Sequence, residues 1–426
     1  MKKITTLLMG ATLLLTTSVQ AQQIKGDLDA DWVKDTKGNG ALPGKYLRPG
    51  IQPLGWEASN VNQKVLMSMS MILVTPDANK TGTTGNSAKM ENKYVGVMNI
   101  GSNAPAYITL GTPWVFGVSD IPKCDGGTIG GAEFTYRPDS LVGYYKRTIG
   151  SKGSEPALIL SYLWKGTSVS TVKTNPKGNL SSSSTTQVQD QDLCILGKKN
   201  ADSGNAQLIG KAEYNIEGTL ADWTRIAVPM EYSNNEIPEK VNIVLSSANY
   251  WNRGAIKAEN ILWADDVVFA YNSKLTSLSI DGTPLNGFDK NKFTYTNLIL
   301  GDAAPQIVAV SDGKGATVTV SALANNKITI VVKGNDYNTN STNVHTYTLE
   351  FDNSTSIDSN ESSLVKAYAA DGTINVFGNE SEEVLIYTVQ GILVGQYAAS
   401  ETAIQTNLSK GIYIVKIGNY TTRIVL

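Results

Sequence analysis

Residues 259–271 read ENILWADDVVFAY, and the adjacent Asp265 and Asp266 stand in an otherwise apolar run. Paired carboxylates can cleave a glycosidic bond when they flank it roughly 5 to 9.5 Å apart, and carboxylates with loop carbonyls can hold calcium. On a regular strand Ile261, Trp263, Asp265, Val267, Phe269 and Tyr271 share one face, while Leu262, Ala264, Asp266, Val268 and Ala270 share the other. Two acids on opposite faces cannot approach one bond, so catalysis would need a distant partner such as Glu133, Glu155 or Glu259. A buried carboxylate without donors is costly. The expected role of Asp265 and Asp266 is therefore to anchor a loop by accepting N–H groups. Asp27 and Asp29 of the opening GDLDADW lie close by if first and last strands pair. A structural calcium is one version of that anchoring, and no cofactor is required.

The second kind of chemistry is aromatic. Sugar recognition uses ring faces that stack on the C–H face of a pyranose, with carboxylates, amides and cations around them for the hydroxyls. Tyr250, Trp251, Asn252 and Arg253 offer that mixture on a stretch without alternation, which reads as a loop and makes them the leading ligand contacts. Trp56, in LGWE, is a further candidate. Tyr144, Tyr145 and Trp164 lie in alternating runs, where core packing is the better expectation.

These residues must be positioned by β structure. The chain of 426 residues is rich in Gly, Ser, Thr, Asn, Val and Tyr, and helical periodicity is nearly absent. All seven tryptophans precede residue 272. Residues 22–272 hold eight strand candidates separated by polar loops, notably 75–93 and 170–193, with 61–72 ambiguous. This fits a two-sheet jelly roll. Residues 273–352 alternate around Asp281-Gly282 and Asp312-Gly313, which read as hairpin turns of a small immunoglobulin-like sandwich. Residues 353–363 are a polar linker, and 364–426 form a third small β unit. The fold class is all-β throughout.

Several functions are excluded by counting. The single histidine, His345, lies in an ordinary alternating strand, so neither a Ser-His-Asp site elsewhere nor a histidine-rich zinc site can be built. Residues 1–21 have the two lysines, apolar stretch and small-residue end of a secretory signal peptide. After Ala21, 34 basic side chains face 38 acidic ones with no basic patch, which argues against nucleic acid, and no later apolar run would span a bilayer. Cys124 and Cys194 could form one disulfide in an oxidising compartment or remain two buried thiols.

The segments PDSLVGYYKR (138–147), DWTRIAVPMEY (222–232), IVLSSANYWNRGAIKAENILWADDVVFAY (243–271) and GDLDADW (26–32) together resemble the PCMD family, a carbohydrate metabolism domain of exported Bacteroidetes proteins, over about residues 22–272. SKLTSLSIDGTPLNGFDKNKFTYT is similar to the immunoglobulin or cadherin-like sandwich that accompanies it. GTINVFG, VLIYTVQGILVGQ and LSKGIYIVKIGNYTTRIVL resemble a type IX secretion sorting tail, although Arg423 to Leu426 depart from its usual end. The resemblance implies a galactose-binding-like jelly roll that binds or acts on carbohydrate, with no catalytic residue to carry over. The expectation is a secreted or surface-displayed glycan-binding protein, outside the cell or on its outer surface, or else in the periplasm. Its partners would be a polysaccharide and outer-membrane glycan-uptake proteins. A glycoside hydrolase on the same jelly roll and a non-enzymatic adhesin are the alternatives.

Overall fold

A computed structural model describes residues 24–426 apart from 30, 41–43, 45, 65–67, 83, 98–99, 117–124, 169–190, 199–203, 253–254, 302, 353–365, 371–372, 378–382, 399–402, 406–407 and 419. The described chain is all-β, with one short helix, Gln191–Ile195.

Two antiparallel sheets face each other in the first 271 residues. One runs in the order Glu231–Tyr232, Gln207–Ile216, Ala157–Lys165, Lys240–Ser246, Tyr107–Thr109 and Glu57–Ala58, with Ala132–Glu133 also paired to Lys240–Ser246. The other runs Leu220–Pro229, Ser140–Thr148, Ile261–Ala270, Ser87–Glu91 and Val74–Asp77. Ile159, Leu163, Ile243 and Leu245 of the first sheet meet Leu141, Tyr145, Leu262 and Phe269 of the second in one core. Burial of each such side chain stabilises the fold by about 1.5–3 kcal/mol, which is why the period-two pattern dictates the sandwich.

The larger sheet is buried on both faces. Ala157, Ile159 and Leu163 point to the shared core, whereas Leu158, Leu160, Tyr162 and Trp164 form a second cluster with Tyr107, Val244, Ile195 and Tyr250. The short helix closes that outer face. Its Asp192, wholly buried, accepts hydrogen bonds from the hydroxyls of Tyr162, Tyr250 and Thr128 and from the Thr128 amide. Four donors offset the cost of burying the carboxylate.

Three local expectations change. Residues 75–93 are not a plain loop: Val74–Asp77 and Ser87–Glu91 pair there as strands. Gln207–Ile216 adds a strand beyond the eight candidates: Lys211 to Ile216 alternate, and the register slips at its start, opposite Leu163 and Trp164. Asp312-Gly313 is not a hairpin turn, since the strands on either side, Ile307–Ser311 and Thr317–Val320, lie in different sheets. Gly313 is needed there because a Cβ would sit 2.3 Å from the Asn272 carbonyl oxygen. Asp281-Gly282 does turn a hairpin, with φ of 50° and 77°, and pairs Ile280 with Thr283.

Beyond residue 272 two further cores form. One gathers Leu275, Tyr295, Ile330, Tyr347 and Phe351 between a three-stranded and a four-stranded sheet. The other gathers Ile374, Ile386, Tyr413, Val415 and Ile424. His345 lies in the strand Val344–Asp352, where its Nδ1 contacts the Ser273 hydroxyl at 2.8 Å and its ring stacks on Phe293.

Candidate functional site

The Asp265–Asp266 pair is where alternation fails. Leu262 and Ala264 point into the core, but so do Val267 and Phe269, so two consecutive residues, Asp265 and Asp266, share the outer face. The cause is a bulge. Pairing to Ser140–Thr148 slips between Val142 and Tyr144, leaving Asp266 and Val267 opposite Gly143, and Asp266 takes a left-handed φ of 49°. The expectation of opposite faces is thereby corrected. Asp265 Oδ2 accepts the amide and the hydroxyl of Thr81, both at 2.9 Å, and the same hydroxyl lies 2.7 Å from Asp266 Oδ2. Asp265 Oδ1 accepts the Asp266 amide. Burial raises the Asp265 pKa, and the neighbouring Asp266 charge adds to the rise. The pair thus fastens the loop before Ser87–Glu91 to the last strand of the sandwich.

The opening segment meets the same bulge. Gly26 accepts the Val267 amide at 2.7 Å, and a Cβ on Gly26 would stand 1.5 Å from the Val267 oxygen. Trp56, only 1% exposed, donates its indole N–H to the Lys25 carbonyl at 2.6 Å. Asp27 is exposed and Asp29 half-buried. Burial, then the charges of Asp27 and Asp266, raise the Asp29 pKa. Among the described residues no three His, Cys, Asp or Glu side chains gather as metal ligands do.

The aromatic candidates fall differently from their expected roles. Trp56 and Tyr250 are each 1% exposed, so their ring faces are closed to solvent. Trp251 is half-buried: its indole donates to Glu213 at 2.8 Å, and Lys198 lies over its ring at 4.4 Å. Asn252 is exposed, and Arg253 lies outside the described residues. Tyr145 and Trp164 are core, as their alternation implied, and Tyr144 is half-buried. Cys194 is buried on the helix, and Cys124 lies outside the described residues. Of the three distant acids, Glu133 is exposed near Lys240, Glu155 is buried, and Glu259 is exposed.

What the loop after Lys240–Ser246 does build is a cleft at its far end. An open depression of about 400 Å³ is lined by Glu91, Asn92, Lys93, Tyr94, Asn103, Lys152, Ala258 and Glu259. That volume is in the range of small-molecule sites, about 300–1,000 Å³. Its frame is the wholly buried Asn92. The Asn92 backbone exchanges hydrogen bonds with Glu259 and Asn260. Its side-chain oxygen accepts from Ala106 and Ser247, and its Nδ2 donates to Lys257 and to Glu155. Glu155 in turn accepts the Lys257 and Asn249 amides, and burial raises its pKa. Arg147, wholly buried, donates to the Glu155, Ile216 and Gly218 carbonyls behind that wall.

Tyr94 is the aromatic ring of the cleft, 43% exposed. It stands on the hairpin Lys93–Val97 and Ile100–Ala104, directly across from Asn103. Its ring end lies where a Cβ of Gly101 would be, 2.7 Å from the Tyr94 Cζ, so glycine lets the ring lie down across the hairpin. Asn103 is held by donating to the Ile256 carbonyl at 2.7 Å. Glu259, at a left-handed φ of 65°, accepts the Ser151 hydroxyl and amide, and these bonds hold its carboxyl below the ordinary range. The sequence reading named Glu259 as a distant acid but passed over Tyr94, Asn103 and Asn92. The available signal was the pair Gly96 and Gly101, which face each other in the hairpin and cannot fill a core.

No family model matches the chain, and no curated protein matches it in sequence. Among solved structures it is similar to a "putative glycoside hydrolase" from Bacteroides thetaiotaomicron, with 17% identity over 57% of this chain and 72% of that one and a TM-score of 0.34. A second "putative glycoside hydrolase", from Bacteroides vulgatus, shares 15% identity over 57% of this chain and 96% of that one, with a TM-score of 0.34. An arabinose-bound α-L-arabinofuranosidase shares 11% over 57% and 27%, with a TM-score of 0.23. Likeness at this level carries no argument about activity.

Proposed function

We propose that this chain is an exported carbohydrate-binding protein, acting outside the cell or on its outer surface, and that it holds glycan in the Tyr94 cleft. The observation that carries the reading is an exposed ring lying on its hairpin beside fixed hydrogen-bonding groups, Asn103, Glu91 and Glu259, in an open depression. A ring face takes the C–H side of a sugar, while carboxylates and amides take its hydroxyls. Delivery of captured glycan to surface uptake proteins fits the signal-like first 21 residues and the sorting-type tail. The test is titration of the mature chain with a panel of oligosaccharides. Tyr94→Ala is expected to weaken binding at least tenfold, on the order of 1.4 kcal/mol, with an unchanged melting temperature. Equal affinity in the variant would move the site elsewhere.

A glycoside hydrolase is the second reading, favoured by two carboxylates, Glu91 and Glu259, lining one cleft. A hydrolase needs one acid kept protonated near neutral pH. Glu259 is held in the opposite direction by Ser151, and Glu155, the raised one, is walled behind Asn92 with both oxygens accepting. The exposed Tyr94 ring and the fixed Asn103 amide, which suit a sugar's faces and hydroxyls, make binding the better account. Reducing-sugar release that disappears in Glu91→Gln or Glu259→Gln would reverse the choice.

A further inference from the structure

The cleft's lining carries as many acidic as basic side chains. Its lining includes two carboxylates, Glu91 and Glu259, and two ammonium groups, Lys93 and Lys152. Lys93 Nζ lies 3.5 Å from Glu91 Oε2, and Lys89 lies 3.7 Å from the same oxygen from outside the lining. Lys152 sits on the turn whose Ser151 holds Glu259, near enough for its charge to act on that carboxyl. Lys93 is engaged with Glu91, and an anionic group entering here would face two carboxylates. The remaining contacts, the Tyr94 ring and the Asn103 amide, are neutral and suit C–H faces and hydroxyls.

We propose that the cleft selects an uncharged glycan and discriminates against uronate-bearing and sulfated chains. This rests on the carbohydrate reading above and adds the charge class of the ligand to it. The open shape admits an internal stretch of chain, and a volume of about 400 Å³ suits one or two sugar units.

The experiment uses the full mature chain and calorimetric titration with neutral gluco-, manno-, galacto- and xylo-oligosaccharides, alongside matched uronate and sulfated oligosaccharides. Titrations are run at about 0.01 M and about 1 M salt, between which the screening length falls from about 30 to about 3 Å. The expected result is that a neutral oligosaccharide binds with an affinity that salt leaves within about twofold, and that its uronate counterpart binds about tenfold more weakly or not at all. Glu91→Gln, which frees Lys93, is expected to narrow that gap and to introduce salt-weakened uronate binding. Preference of the wild type for uronate or sulfate, weakened by salt, overturns the charge assignment and leaves the carbohydrate reading standing. Binding of no oligosaccharide of either class overturns both.

Discussion

Asp265 and Asp266 have the same side chain and different duties. Asp265 needs both oxygens as acceptors, since Thr81 donates twice to one and the Asp266 amide donates to the other. In Asp265→Asn the amide nitrogen must face one of those donors, so a loss of about 1–3 kcal/mol is expected in urea unfolding. Asp266→Asn is expected to stay within about 0.5 kcal/mol of wild type, because the side chain is exposed and asparagine tolerates a left-handed backbone. Asp265 also carries a pH signature. Burial raises the Asp265 pKa in the folded state, so the stability it contributes is fully present below the ordinary aspartate value and is lost as pH rises through the folded value. The margin of the wild type over Asp265→Asn is therefore expected to be widest below about pH 4 and to shrink towards neutrality. A margin that widens with pH would mean that Asp265 is stabilised as the anion.

At the scale of elements, two glycines fix what their neighbours can present. Gly26 lets the opening segment lie against the bulge, and a methyl group there would meet the Val267 oxygen at 1.5 Å. Gly26→Ala is expected to release residues 24–28 from the last strand and to lower stability by about 1–3 kcal/mol, with faster amide exchange at Val267 as the specific readout. Gly101 serves the cleft: its substituted Cβ would lie 2.3 Å from the Val95 oxygen and 2.7 Å from the Tyr94 ring. Gly101→Ala should therefore part the two hairpin strands and lift Tyr94, weakening glycan binding. Loss of binding in Tyr94→Ala but not in Gly101→Ala would show that the ring finds its place without the glycine.

At the scale of the molecule, the first sandwich is fastened to the second. The Asp139 carboxylate accepts the Asn272 and Lys314 amides, both at 2.7 Å, and Asn335 accepts the Arg137 amide at 2.7 Å. Asn343 donates to the Tyr271 carbonyl at 2.9 Å. A connection tied from both sides leaves little freedom to the 271–274 crossing. Asp139→Ala removes the acceptor shared by the Asn272 and Lys314 amides. Its expected outcome is selective proteolytic cutting near residues 271–274 while the cleft still binds glycan. Undiminished protection would place the coupling in the other bonds.

Period-two alternation in the sequence was enough to establish an all-β chain, most of its strands and the core roles of Tyr145 and Trp164, because burial of apolar faces is a local and repeating constraint. One histidine and the scattered charges likewise narrowed the chemistry before any coordinates. Alternation could not reveal its own interruption at Asp266, since a bulge arises from pairing with Gly143, 123 positions earlier in the chain. Nor could it show that Tyr250 closes over Asp192 while Tyr94 stays open. Tyr250 lies in a polar stretch that reads as a loop and Tyr94 at the start of an apolar run, yet the packing of distant segments buries the first and leaves the second a face in water.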